Sequence, residues 1–123
     1  MASLRIPVIL LLTFVAAILT TAHSNDLIVG RRSPGDFLMQ RDPARKSASI
    51  LQIVKLKKTF TGDNYHKITQ IRFLDQNKVG NGAKVTILSG GPNYTFVTAE
   101  FKSQRNYGID FVVELYGRQS FVN

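Results

Sequence analysis

The chain has no cysteine among its 123 residues. That absence removes disulfide stapling, thiol nucleophiles, zinc ribbons and iron–sulfur ligation together. Histidine is scarce: His23 and His66 are the two present, and two cannot build a multi-histidine metal site. A Ser-His-Asp triad would have to use His66, and no serine lies in a Gly-x-Ser-x-Gly elbow. Placed before a strand, His66 is expected as an exposed loop residue. Internal repeats, low-complexity tracts and linkers are lacking, so nothing marks a second folded domain. No stretch beyond residue 24 keeps a helical period, which argues against helices in the main body.

Two further motifs fail on geometry. Asp110 and Glu114 share strand parity, but at about 3.3 Å per residue they stand roughly 13 Å apart. Paired glycosidase carboxyls need at most about 9.5 Å, so these two are expected to keep an outward face soluble. Gly80-Asn81-Gly82-Ala83-Lys84-Val85 opens like a dinucleotide fingerprint, yet it lacks the third glycine and leads into a strand instead of a helix. No catalytic residue, metal ligand or cofactor is therefore expected, and the chain reads as a non-enzyme.

What is present begins with Arg5 and the apolar run 6–19, followed by the small, polar stretch Thr20-Thr21-Ala22-His23-Ser24. This three-part layout reads as a secretory signal peptide over residues 1–22. The run is shorter than the roughly 20 apolar residues that span a bilayer, so a cleaved leader is preferred over a retained anchor or a buried core helix. Cleavage between Ala22 and His23 is the expected site, with Ala22 and Thr20 as the small residues at −1 and −3. Cleavage after Ser24, with Ser24 and Ala22 in those places, is the second option. The mature chain is expected outside the cell, without a stable membrane span.

Sixteen Lys and Arg stand against eight Asp and Glu. Arg5 leaves with the leader, so the mature balance is fifteen against eight, or +7. Such a surplus favours anionic partners: glycosaminoglycan, phospholipid headgroups, an acidic protein or nucleic acid. The leader argues against the last of these. The basic residues are spread out apart from Arg31-Arg32, Arg45-Lys46 and Lys55-Leu56-Lys57-Lys58, so the partner and the oligomeric state stay open. Tyr65, Phe73, Tyr94, Phe96, Phe101 and Tyr107 interleave with basic residues, but in a sheet protein such aromatics serve packing.

Residues 23–48 read as an irregular basic lead-in. Gly30, Ser33-Pro34-Gly35-Asp36 and Asp42-Pro43 supply turn chemistry. Leu27, Ile28 and Val29 suit a short first strand, and Phe37, Leu38 and Met39 a hydrophobic tuck. Residues 49–123 read as a β-rich domain, with strand-like runs at 50–60, 67–74, 83–88, 94–102 and 107–116. Val97, Ala99 and Phe101 share one parity, as do Ile109, Phe111, Val113 and Leu115; Lys55, Lys84 and Lys102 fall on the opposite parity. Period-two alternation with turns every 8–12 residues or so predicts an all-β, antiparallel sandwich or barrel of five to six strands after the N-terminal signal helix. In the turn after Gly90-Gly91-Pro92, Asn93-Tyr94-Thr95 forms an N-glycosylation sequon, making Asn93 the expected carrier of a glycan.

Several segments together resemble the multiprotein bridging factor 2 family of arthropod proteins. They are residues 30–36 (Gly30-Arg31-Arg32-Ser33-Pro34-Gly35-Asp36), 68–76, 83–91 and 101–117, the last being the most specific; the similarity spans about 25–117. Asn93 stands where the resemblance leads one to expect a further glycine. The resemblance implies two different roles: a nuclear coactivator bridging a DNA-bound regulator to the basal machinery, or a secreted salivary or venom peptide. With a leader and a sequon, the expectation is a secreted, non-enzymatic β-domain of salivary, venom or haemolymph type that acts by binding, with the nuclear coactivator as the alternative.

Overall fold

A computed structural model describes residues 25–118. The signal helix and the Ala22–His23 cleavage site lie outside the described residues. Among the described residues, seven strands form two antiparallel sheets: β1 (Leu27–Gly30), β2 (Phe37–Lys46), β3 (Lys55–Thr61), β4 (Ile68–Asp75), β5 (Lys84–Gly90), β6 (Phe96–Lys102) and β7 (Ile109–Gly117). One sheet has the order β1-β4-β7-β2 and the other β3-β6-β5. The all-β, antiparallel expectation holds, with seven strands in place of five to six.

The extra strands lie in the segment read as an irregular lead-in. That reading is corrected: β1 pairs with β4, and β2 pairs with β7 along nearly its whole length. Asp42 and Pro43 look like a turn, yet they sit mid-strand, Pro43 opposite Val112. The position is tolerable because β2 is an edge strand, where a missing N–H need not leave a ladder bond unmade. A register shift between Leu38 and Gln40 makes Met39 the extra residue of a bulge. Met39 packs against the core, while Phe37 and Leu38 remain exposed. Gly117 makes room for it, since a Cβ there would stand 2.3 Å from the Met39 sulfur.

The core is where alternation placed it. Ile71 and Phe73 of β4, Val97, Ala99 and Phe101 of β6, and Ile109, Phe111, Val113 and Leu115 of β7 are all buried. Four phenylalanines, two from each sheet, join the layers: Phe101 lies 6.3 Å from Phe60, 6.0 Å from Phe73 and 5.3 Å from Phe111 between ring centroids. Tilted and edge-on pairs at this spacing add about 0.5–1.5 kcal/mol each beyond area burial. This packing takes the place of disulfides.

Lys58 has the parity of the core residue Phe60 but belongs to the edge strand β3. Its ammonium leaves the layer sideways, donates to the Pro43 carbonyl at 2.7 Å and lies 5.3 Å from the Phe60 ring centroid. An inward-facing charge thereby spans the seam between β3 and β2.

Candidate functional site

Antiparallel pairing sends segments 47–54, 76–83 and 103–108 to one end of the sandwich, and 31–36, 62–67 and 91–95 to the other. The first end carries the more unusual surface. Ile50 is 86% exposed and Leu51 69%, and Val79 on the neighbouring loop is 73% exposed. Leu51 also has a φ of +63°, a left-handed conformation that costs a non-glycine residue about 1–2 kcal/mol. It is held there from two sides: Leu51 N–H donates to Asn106 Oδ1, and Arg105 donates to the Leu51 carbonyl at 2.8 Å. Ser49, Gln52 and Asn106 close the loop with backbone bonds of 3.1 and 3.0 Å. Gln104 then ties the same segment to the third loop, donating to the carbonyls of Gly80 and Gly82 at 2.9 and 3.2 Å. Three loops are thus braced into one surface with apolar tips.

Cations frame it. The register pairs Lys55 with Lys102 and Lys102 with Lys84, so three exposed lysines form a row across the outer face of the smaller sheet. Like charges opposite one another disfavour the sheet. Lys46, Lys78 and Arg105 are exposed at the same end. The acids there are largely engaged: Asp75 is buried, Asp110 pairs with Arg45 at 3.1 Å, and Asp26 lies 3.9 Å from Lys78. Between loops 76–83 and 103–108 lies an open depression of about 440 Å³, lined by Lys46, Lys78, Val79, Tyr107 and Asp110 among others.

The carboxylates considered for catalysis serve the sheet. Glu114 is 4% exposed, which corrects its expected place on a soluble face. The register sets it between Arg41 of β2 and Arg72 of β4. Arg41 Nε donates to Glu114 Oε2 at 2.9 Å with a second bond from the same guanidinium, and Arg72 lies 3.9 Å from Oε1. Hydrogen bonding and charge from Glu114 raise the Arg41 pKa above its ordinary value. His66 is half-buried, which corrects its expected exposure, with its ring on Asp63 and in T-shaped contact with Phe37 and Tyr65. The His66 hydrogen bond is the first cause holding the Asp63 carboxyl down at about 2. Among the described residues no group of three or more His, Asp and Glu could hold a metal ion.

Asn93 lies at the other end, exposed, in the β5–β6 turn with a φ of +74°. The turn uses the left-handed backbone that glycine adopts freely, and asparagine tolerates it, so Asn93 suits a place where glycine was expected. Asn93 N–H donates to the Ile68 carbonyl at 2.8 Å and Ile68 N–H to the Tyr94 carbonyl at 2.8 Å. The backbone of the sequon is thus tied to the start of β4, and Asn93 itself is exposed.

Sequence reasoning placed Lys55, Lys84 and Lys102 outward but could not place them side by side, because pairing register is not written in a single strand. The strand expected over 50–60 begins only at Lys55, and Ile50 and Leu51 form a turn in which Leu51 is left-handed.

Fold and surface together define a cysteine-free antiparallel β-sandwich that presents braced loops. A family model described as "Transcription activator MBF2" matches residues 29–117, and the chain belongs to the MBF2 family. A relative from Bombus ignitus, named "Probable salivary secreted peptide", is 45% identical over 98 residues, covering 80% of this chain and 73% of that protein. No solved structure matches.

Proposed function

We propose that this chain is a secreted, non-enzymatic binding protein whose loop end docks on anionic phospholipid membranes. The observation that carries the reading is the braced Ile50-Leu51 tip, left in water beside a row of lysines. A convex apolar tip suits the headgroup–acyl boundary, where binding scales with apolar area buried plus attraction to anionic lipid. Each lysine near such a surface adds about 1 kcal/mol. The relative's name and the N-terminal leader support secretion.

The test is co-sedimentation of the mature protein with vesicles of phosphatidylserine and phosphatidylcholine. Ile50→Ser combined with Leu51→Asn keeps the charge and suits the left-handed turn. It is expected to weaken binding at least tenfold, since burying each side chain contributes about 1.5–3 kcal/mol. Lys84→Gln with Lys102→Gln should weaken it similarly and flatten its salt dependence. Equal binding of wild type and both variants, or retention on heparin with none on vesicles, would remove the membrane assignment.

Asn93 completes the reading as a glycosylation site. Its turn is at the end opposite the loops, so a glycan would leave the docking surface open. Protein secreted from insect cells is expected to lose mass on peptide-N-glycosidase treatment, and Asn93→Gln should show no such loss. The same mass before and after treatment refutes the assignment.

A second reading, a nuclear bridging coactivator, is favoured by the description of the family model. It requires retention of the leader inside cells, which immunostaining with an antibody to the leader would reveal.

A further inference from the structure

Asp75 ends β4 and is 0% exposed. Its Oδ2 accepts the backbone N–H of Asn25 at 3.0 Å and its Oδ1 that of Asn77 at 2.9 Å. Among the described residues it forms no ion pair. A dehydrated carboxylate served by neutral amides alone is costly; buried charges are normally paired. Gly82 lies directly against it, since a Cβ there would stand 1.8 Å from Oδ2, so no side chain at that position can supply the missing charge.

The segment around Asn25 is held for the purpose. Asn25 Nδ2 donates to the Gly82 carbonyl at 3.1 Å, and Asp26 Oδ1 accepts the Asp75 N–H at 2.7 Å. The nitrogen of residue 25 is therefore pinned on the buried carboxylate from both sides. As a peptide amide it offers a dipole. As a free α-amino group it would offer a full positive charge at the same place, and a charge-assisted bond is roughly twice as strong as a neutral one.

We propose that signal processing occurs between Ser24 and Asn25, and that the new α-ammonium of Asn25 forms a buried ion pair with Asp75. The sequence permits it, with Ser24 at −1 and Ala22 at −3. Processing between Ala22 and His23 would instead leave an amide opposite the carboxylate. Cleavage is hydrolysis of the Ser24–Asn25 peptide bond: water adds its oxygen to the Ser24 carbonyl carbon, leaving a carboxylate, and its two protons end on the released nitrogen, leaving an ammonium. The inference rests on the secretory reading and adds the exact end of the mature chain.

N-terminal sequencing and intact mass of protein secreted from insect cells test it, with the cell lysate analysed alongside. Secreted protein beginning at Asn25 is the expected result. Secreted protein beginning at His23 overturns the inference and leaves secretion standing, whereas intracellular protein retaining Met1 overturns both. A second measurement compares chains produced to begin at Asn25 and at His23. The Asn25 form should melt at least about 5 °C higher, and Asp75→Asn should erase most of the difference. Equal melting of the two wild-type forms overturns the ion pair even if Asp75→Asn fails to fold.

Discussion

Phe101→Ala is expected to cost about 3–5 kcal/mol of unfolding free energy, a large share of the roughly 5–15 kcal/mol available to a domain of this size. Phe101 is 0% exposed and touches the rings of Phe60, Phe73 and Phe111, so one truncation opens a void against both sheets. The walls cannot close easily, because each phenylalanine is fixed by its own strand pairing. Denaturant titration measures the loss, with Ile50→Ser as the comparison: at 86% exposure it should stay within about 0.5 kcal/mol of wild type. A Phe101→Ala cost below about 1 kcal/mol would mean that the sheets are not joined through this cluster.

Gly82→Ala is the second large effect, about 3 kcal/mol or more, from the addition of one methyl group. The new Cβ would lie 1.8 Å from Asp75 Oδ2 and 2.6 Å from its Cγ, so the carboxylate must move. Movement strips it of the Asn25 and Asn77 donors, and leaving a buried charge without its partners costs about 3–5 kcal/mol. The cause is testable by a double-mutant cycle. In an Asp75→Ala background the clash has no object, so Gly82→Ala should cost far less there, and the two losses should fall short of adding. Simple additivity would assign the effect to backbone conformation instead.

The strands that were legible in the sequence are those with one face against the core. β4, β6 and β7 alternate because each contributes a buried residue at every second position, and Val85 and Ile87 of β5 follow the same pattern less deeply. β2 gives no such signal. It is an edge strand with Ala44 as its buried residue, its parity is broken at Met39, and it contains Asp-Pro. Turn residues on an edge look the same as turn residues in a loop. Segment 50–54 fails in the opposite way: its apolar residues invite extension of β3, whereas Ile50 and Leu51 face water on a left-handed turn.

The candidate site was legible only in fragments. Lys46, Lys55, Lys78, Lys84, Lys102 and Arg105 are scattered over sixty positions, and strand register alone gathers them at one end. The Asn93 sequon was readable because it depends on three consecutive residues. The setting of Asp75 was not: its donors come from residues fifty positions earlier and two later.

The seam between β2 and β3 bears on how readily another chain could add to the sheet edge. A foreign strand seeking to template along β2 meets Pro43, which offers no amide, and along β3 it meets an ammonium already committed to that carbonyl. Polymer growth from that side must first strip Lys58 from its acceptor, so a thiol-free sheet protein has a built-in brake against fibrils where its border would otherwise be open.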